Sequence, residues 1–157
     1  MTIDELIARL DALIAEGARF EEILETSVEG LHRMSPRFDW TGIYELFADD
    51  TLRLGPFVGA PTDHVFIGVG RGVCGTAIAE KRNMNIADVR QVDNYLACSA
   101  ETRAELVVLV RDGDRIYAQI DIDSHTPGRF DDVCVSTVQR VADTLARAYE
   151  ARLGENA

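Results

Sequence analysis

The sequence is short of basic residues, of cysteine and of long apolar runs, and each shortage removes a class of function. Lys and Arg number 16 against 27 Asp and Glu, for a net charge of -11. A surface that acidic repels the phosphate backbone, so no nucleic acid partner is expected. Apolar runs such as residues 106–110 are far too short to cross a bilayer, and no membrane partner is expected either. Met1-Thr2-Ile3-Asp4-Glu5 has none of the basic character of a secretion signal, which points to the cytoplasm. The three cysteines are an odd number without metal-type spacing, so neither a structural disulfide nor a bound metal is expected. In a reducing compartment any disulfide is catalytic or transient.

What is present suits one folded domain. At 157 residues, 46% of them hydrophobic and 27% charged, the chain can bury roughly 70% of the surface it exposes when unfolded. Thr2-Ile3-Asp4-Glu5 has the form of a capping box. Ile3, Leu6, Ile7, Leu10, Leu13 and Ile14 then recur at helical steps until Gly17. Phe20, Ile23, Leu24, Val28 and Leu31 continue the period in a second helix ending before Pro36, so residues 2–33 are expected to be helical. From Trp40 the pattern turns to β-branched and aromatic segments. Residues 40–47 and 51–57 flank Ala48-Asp49-Asp50 as a hairpin, a short strand follows at 64–67, a short helix at 74–80 and a strand at 84–87. Residues 88–105 form a long connection without sustained period, the kind that usually carries function. Residues 106–110 and 115–122 flank Asp112-Gly113 as a second hairpin, and an amphipathic helix spans about 131–152. The expected fold class is α+β, with helices on one sheet face and a pocket on the other.

Several residues invite chemistry. Cys74 lies in the glycine-rich segment Gly70-Arg71-Gly72-Val73-Cys74-Gly75 at a helix start, where the dipole favours a thiolate. The alternative is a small buried side chain filling a tight spot. That segment lacks the Lys-Ser/Thr of a phosphate loop. Cys98 sits in the long connection, where no pattern requires a buried sulfur, whereas Cys134 within the last helix reads as packing. Asp121 and Asp123 share one strand face, where two like charges call for a proton or cation between them, or else Asp123 opens a turn and Asp121 meets solvent. Glu105 either converges on them or decorates the surface. Trp40 and Tyr44 project from one strand face, to line a pocket or to pack in a core.

Taken together, Trp40-Thr41-Gly42-Ile43-Tyr44, Gly70-Arg71-Gly72-Val73-Cys74-Gly75-Thr76-Ala77, Leu96-Ala97-Cys98, Glu105 and Asp121-Ile122-Asp123-Ser124 resemble the free methionine-(R)-sulfoxide reductases in order and spacing. These are single GAF domains. The resemblance covers nearly the whole chain and implies one domain over 1–157, a GAF-like central antiparallel sheet with sheet and pocket over about 38–124. It implies an oxidoreductase in which Cys98 attacks the sulfoxide sulfur and becomes a sulfenic acid, with Cys74 also active. Trp40 and Tyr44 would surround the substrate's methyl and sulfur end, while Glu105, Asp121 and Asp123 hold its ammonium and help protonate the leaving oxygen. No bound cofactor is implied, only an external thiol reductant of the thioredoxin type.

A thiol with a pKa of about 8.5 is only about 3% thiolate at pH 7, and nearby carboxylates lower that fraction. The substrate ammonium, the helix start near Cys74, Arg71 and Arg103 are the candidates to offset them. The sequence departs from the family where His64 stands in place of a usual cysteine, where Ser99 replaces a usual aspartate, and near Leu109, where a proline is common. Without that first cysteine, Cys74 or the external thiol resolves the sulfenic acid. Two other functions fit the same residues: a non-catalytic GAF sensor of a small amine or amino acid, and a Cys74–Cys98 redox switch. The terminal helices carry enough apolar stripe to predict a homodimer.

Overall fold

The computed structural model describes residues 1–93, 95–96 and 100–155, with the side chain of Glu155 left out. The chain opens with α1 (Ile3–Glu16) and α2 (Phe20–His32). The capping box holds the first turn: Glu5 N–H donates to Thr2 Oγ1 and Thr2 N–H to Glu5 Oε2, each over 3.1 Å. Gly17, with φ of 72°, closes α1 in the left-handed conformation that glycine adopts without penalty. A side chain at Gly30 of α2 would strike Leu6, so its absence lets the two helices approach closely.

Six antiparallel strands follow: β1 (Trp40–Leu46), β2 (Thr51–Val58), β3 (Phe66–Gly68), β4 (Met84–Ile86), β5 (Ala104–Asp112) and β6 (Arg115–Ser124), with α3 (Gly72–Glu80) between β3 and β4. They align in the order β3-β2-β1-β6-β5-β4. Both expected hairpins form, and the α+β class holds. The final helix, α4 (Asp132–Glu155), runs about 36 Å at 1.5 Å per residue, long enough to brace the sheet.

Strand alternation divides the side chains between two cores. Ile43, Leu106, Val108, Val110, Ala118, Ile120 and Ile122 face α1, α2 and α4, meeting Leu6, Leu10, Leu24, Val28, Val141 and Leu145. The opposite face gathers Trp40, Tyr44, Val107 and Leu109 under α3, which contributes Val73, Cys74, Ala77 and Ile78. Gly75 makes that crossing possible, because a side chain there would lie 2.5 Å from the Gly68 carbonyl oxygen.

Three local expectations are corrected. The strand β6 continues through Ser124, so Asp123 does not open a turn, and Asp121 does not meet solvent. The strand β5 begins at Ala104 rather than at 106, which buries Glu105 instead of leaving it on the surface. The third helix begins at Gly72, which makes Cys74 its third residue, two positions inside its first turn. Ladder pairing with a neighbour explains the strand extensions: Asp123 pairs with both Trp40 and Glu105.

Candidate active site

The register of three central strands assembles an acidic floor. On β6, Gln119, Asp121 and Asp123 take alternate positions, opposite Tyr44, Gly42 and Trp40 of β1 and opposite Leu109, Val107 and Glu105 of β5. Because opposed residues share a face, the three acids and the two aromatics point the same way. Exposure is 3% for Glu105, 0% for Asp121 and 1% for Asp123. Three carboxyls thus lie almost without water.

Over this floor α3 lays its first turn. Cys74 Sγ lies 3.7 Å from Glu105 Oε2, and Gln119 Nε2 donates to the Cys74 carbonyl oxygen over 3.0 Å, tying helix to sheet. The ligand atoms of Cys74, Glu105 and Asp121 all fall within 4.8 Å of one another. Burial pushes the Asp121 carboxyl above the usual carboxylate range, because a charge there loses its hydration, while Glu105 and Cys74 act in the opposite sense. Adjacent carboxyls in so dry a place favour holding a proton between them.

The aromatic wall is fixed by its polar handles. Trp40 Nε1 donates to the Ala60 carbonyl oxygen over 3.0 Å, and the Tyr44 hydroxyl donates to the His64 carbonyl oxygen over 2.8 Å. The indole stacks between Phe57, at 5.6 Å and 18°, and Tyr44, at 6.3 Å and 30°. Trp40 and Tyr44 therefore belong to a packed cluster on the same sheet face as the acids. Gly42 leaves the space that the indole fills, since a side chain there would run into the Trp40 ring. Beside Cys74 and Glu105 a narrow cleft is bounded by Ile67, Arg71, Gly72, Val73 and Leu96, and its interior of about 10 Å³ is close to the room one water needs.

Of the residues expected from the sequence, Trp40, Tyr44, Cys74, Glu105, Asp121 and Asp123 come together. Cys98 lies outside the described residues, as does Ser99. Cys134 stands apart on α4, half-buried beside Asp131, whose Oδ1 accepts from its backbone N–H, and burial pushes its thiol pKa up. Arg71 borders the cleft, whereas Arg103 spends Nη1 on the carbonyl oxygens of Ala100 and Thr102. Two members of the site escaped the sequence reading. Gln119 had a usable signal, since it precedes Asp121 by two positions on the same strand. Gly42 had none without the position of the indole.

Residues 19–149 match the GAF domain family. The free methionine-R-sulfoxide reductase of Escherichia coli is 40% identical over 122 residues, 78% of this chain and 73% of that protein. Among solved structures, the type II free methionine-R-sulfoxide reductase from Thermoplasma acidophilum superposes with a TM-score of 0.77 at 33% identity, covering 83% of this chain and 94% of that one. The free methionine-R-sulfoxide reductase from Neisseria meningitidis, solved in complex with its substrate, superposes with a TM-score of 0.84 at 28% identity, covering 95% and 89%. The chain belongs to the GAF domain family and, within it, to the free methionine-R-sulfoxide reductases.

Proposed function

We propose that the chain reduces free methionine-(R)-sulfoxide to methionine, with Cys98 as the thiol that attacks the sulfoxide sulfur. The observation that carries this reading is the buried floor of Glu105, Asp121 and Asp123 facing Trp40 and Tyr44, with a thiol laid over it. The stacked rings offer an apolar surface to the methyl and sulfur end, and the carboxyls attract the ammonium. A proton held among Glu105 and Asp121 passes to the sulfoxide oxygen as the sulfur–oxygen bond breaks. The Cys98 thiol returns a proton to the carboxyl pair as its sulfur bonds the sulfoxide sulfur; that bond then breaks, the hydroxyl passes to the Cys98 sulfur as a sulfenic acid, and methionine departs with the electron pair.

Recycling proceeds without the cysteine that His64 replaces. The Cys74 thiol attacks the sulfenic acid, water leaves, and an external dithiol of the thioredoxin type reduces the resulting disulfide. The cysteines, few and odd in number, favour a reducing compartment, and we take the chain to be a cytoplasmic enzyme of oxidative stress; no helix among the described residues is long and apolar enough to cross a membrane. The chain is expected to assemble as a homodimer. Sedimentation at micromolar concentration is expected to show the dimer, and monomer alone would reject it.

The catalytic reading is tested by supplying separated R and S forms of free methionine sulfoxide with thioredoxin, its reductase and NADPH. NADPH consumption with the R form alone is expected. Binding of the sulfoxide without consumption of reductant would overturn the reading in favour of a sensor.

A further inference from the structure

We propose that Cys74, Glu105 and Asp121 form a binding site for one thiophilic divalent cation of the zinc(II) class. The cysteines have no metal-type spacing along the chain, yet α3, β5 and β6 each deliver one ligating atom to a common point, all within 4.8 Å of one another and all buried. Tetrahedral zinc holds sulfur at about 2.3 Å and carboxylate oxygen at about 2.0–2.2 Å, so sulfur and oxygen stand roughly 3.5 Å apart around the ion. Cys74 Sγ and Glu105 Oε2 already stand at 3.7 Å.

A second observation calls for an occupant. Both oxygens of Asp121 are shielded from solvent and make no hydrogen bond of normal geometry, and the polar groups that act on them are Glu105 and Cys74 themselves. A buried carboxylate in that state requires a proton or a cation. One thiolate with two carboxylates selects zinc, cobalt or cadmium over magnesium and calcium, which avoid sulfur, and it leaves the fourth position for water. Binding sends the thiol proton and the carboxyl proton to solvent as the metal takes their place.

Cobalt(II) titrated into the chelator-stripped full chain tests the site, because a thiolate ligand gives cobalt a charge-transfer band in the near ultraviolet. One equivalent is expected to saturate the band in the wild type and equally in Cys134→Ser, whose sulfur stands apart on α4. The band should vanish in Cys74→Ser, and Asp121→Asn or Glu105→Gln should weaken binding by about tenfold or more, with circular dichroism verifying the fold of each variant. A wild type without the band, a band that survives in Cys74→Ser, or one lost in Cys134→Ser would overturn the site. The readout is metal absorption alone, so it stands or fails separately from the reductase reading.

Discussion

Gly42→Ala probes whether a missing side chain sets the position of the aromatic wall. A Cβ at Gly42 would sit 2.7 Å from Trp40 Cζ3 and 3.0 Å from Phe57 Cβ, whereas carbon atoms pack at about 3.5–4.0 Å. The indole must therefore retreat by about 1 Å, and it is held at its other end by the Ala60 carbonyl oxygen. Overpacking of this kind costs about 1–3 kcal/mol, which for a domain of this size lowers Tm by roughly 3–9 °C. A reacting geometry misplaced by 1 Å can lose about a hundredfold, so kcat/KM for the sulfoxide should fall by about 10- to 100-fold while the protein remains folded. Trp40→Phe removes the ring edge that clashes, and the double variant should recover stability with a coupling of about 0.5–3 kcal/mol. Thermal melts and steady-state turnover on the four proteins provide the check. Unchanged kcat/KM in folded Gly42→Ala, or strict additivity in the double variant, would refute the argument.

Three further outcomes are expected. Burial holds the His32 pKa below its ordinary 6.5, with Asp39 opposing, so the unfolded chain takes up a proton first and stability declines as pH falls through about 6.5 towards the lower folded value. His32→Gln should flatten that slope in melts at neutral and mildly acid pH, and an unaltered slope would discount His32. Gln119→Met removes a hydrogen bond to Cys74 but also a buried oxygen without a partner; stability should change by no more than about 1 kcal/mol, while turnover falls as α3 loses its tether. A stability loss beyond about 3 kcal/mol by denaturant titration, or turnover left unchanged, would contradict this. Zinc at micromolar levels should inhibit sulfoxide turnover and EDTA should restore it, because the ion and the substrate draw on the same carboxyls; full activity in saturated protein would contradict that competition.

Strand parity made much of the site legible. Residues at even separation on one strand share a face, so the sequence alone pairs Trp40 with Tyr44 and Asp121 with Asp123. Helix caps and apolar periods likewise located α1, α2 and α4, because those signals are local. What the sequence concealed was non-local. Whether Glu105 is buried depends on β5 starting at Ala104 beside Ser124 of β6. The dryness of the acidic floor depends on α3 crossing the sheet, secured by Gln119 reaching Cys74 from 45 positions away and by Gly75 against Gly68. A charged side chain near a turn signal looks solvated until a second layer covers it, which is why Asp123 read equally well as the start of a turn. The residue types of the trio were visible, but their convergence needed three elements that share no short-range pattern.

The sulfur of Cys98 is the atom on which the proposed reduction turns. The wild type and Cys98→Ser should be mixed with one equivalent of free methionine-(R)-sulfoxide without reductant, and their peptides analysed by mass spectrometry alongside turnover and circular dichroism. The wild type should form methionine and gain a single oxygen, or the derived disulfide, on the Cys98 peptide. Cys98→Ser, still folded, should form none. Undiminished methionine production by Cys98→Ser, or oxidation that begins on Cys74 with Cys98 untouched, would contradict it.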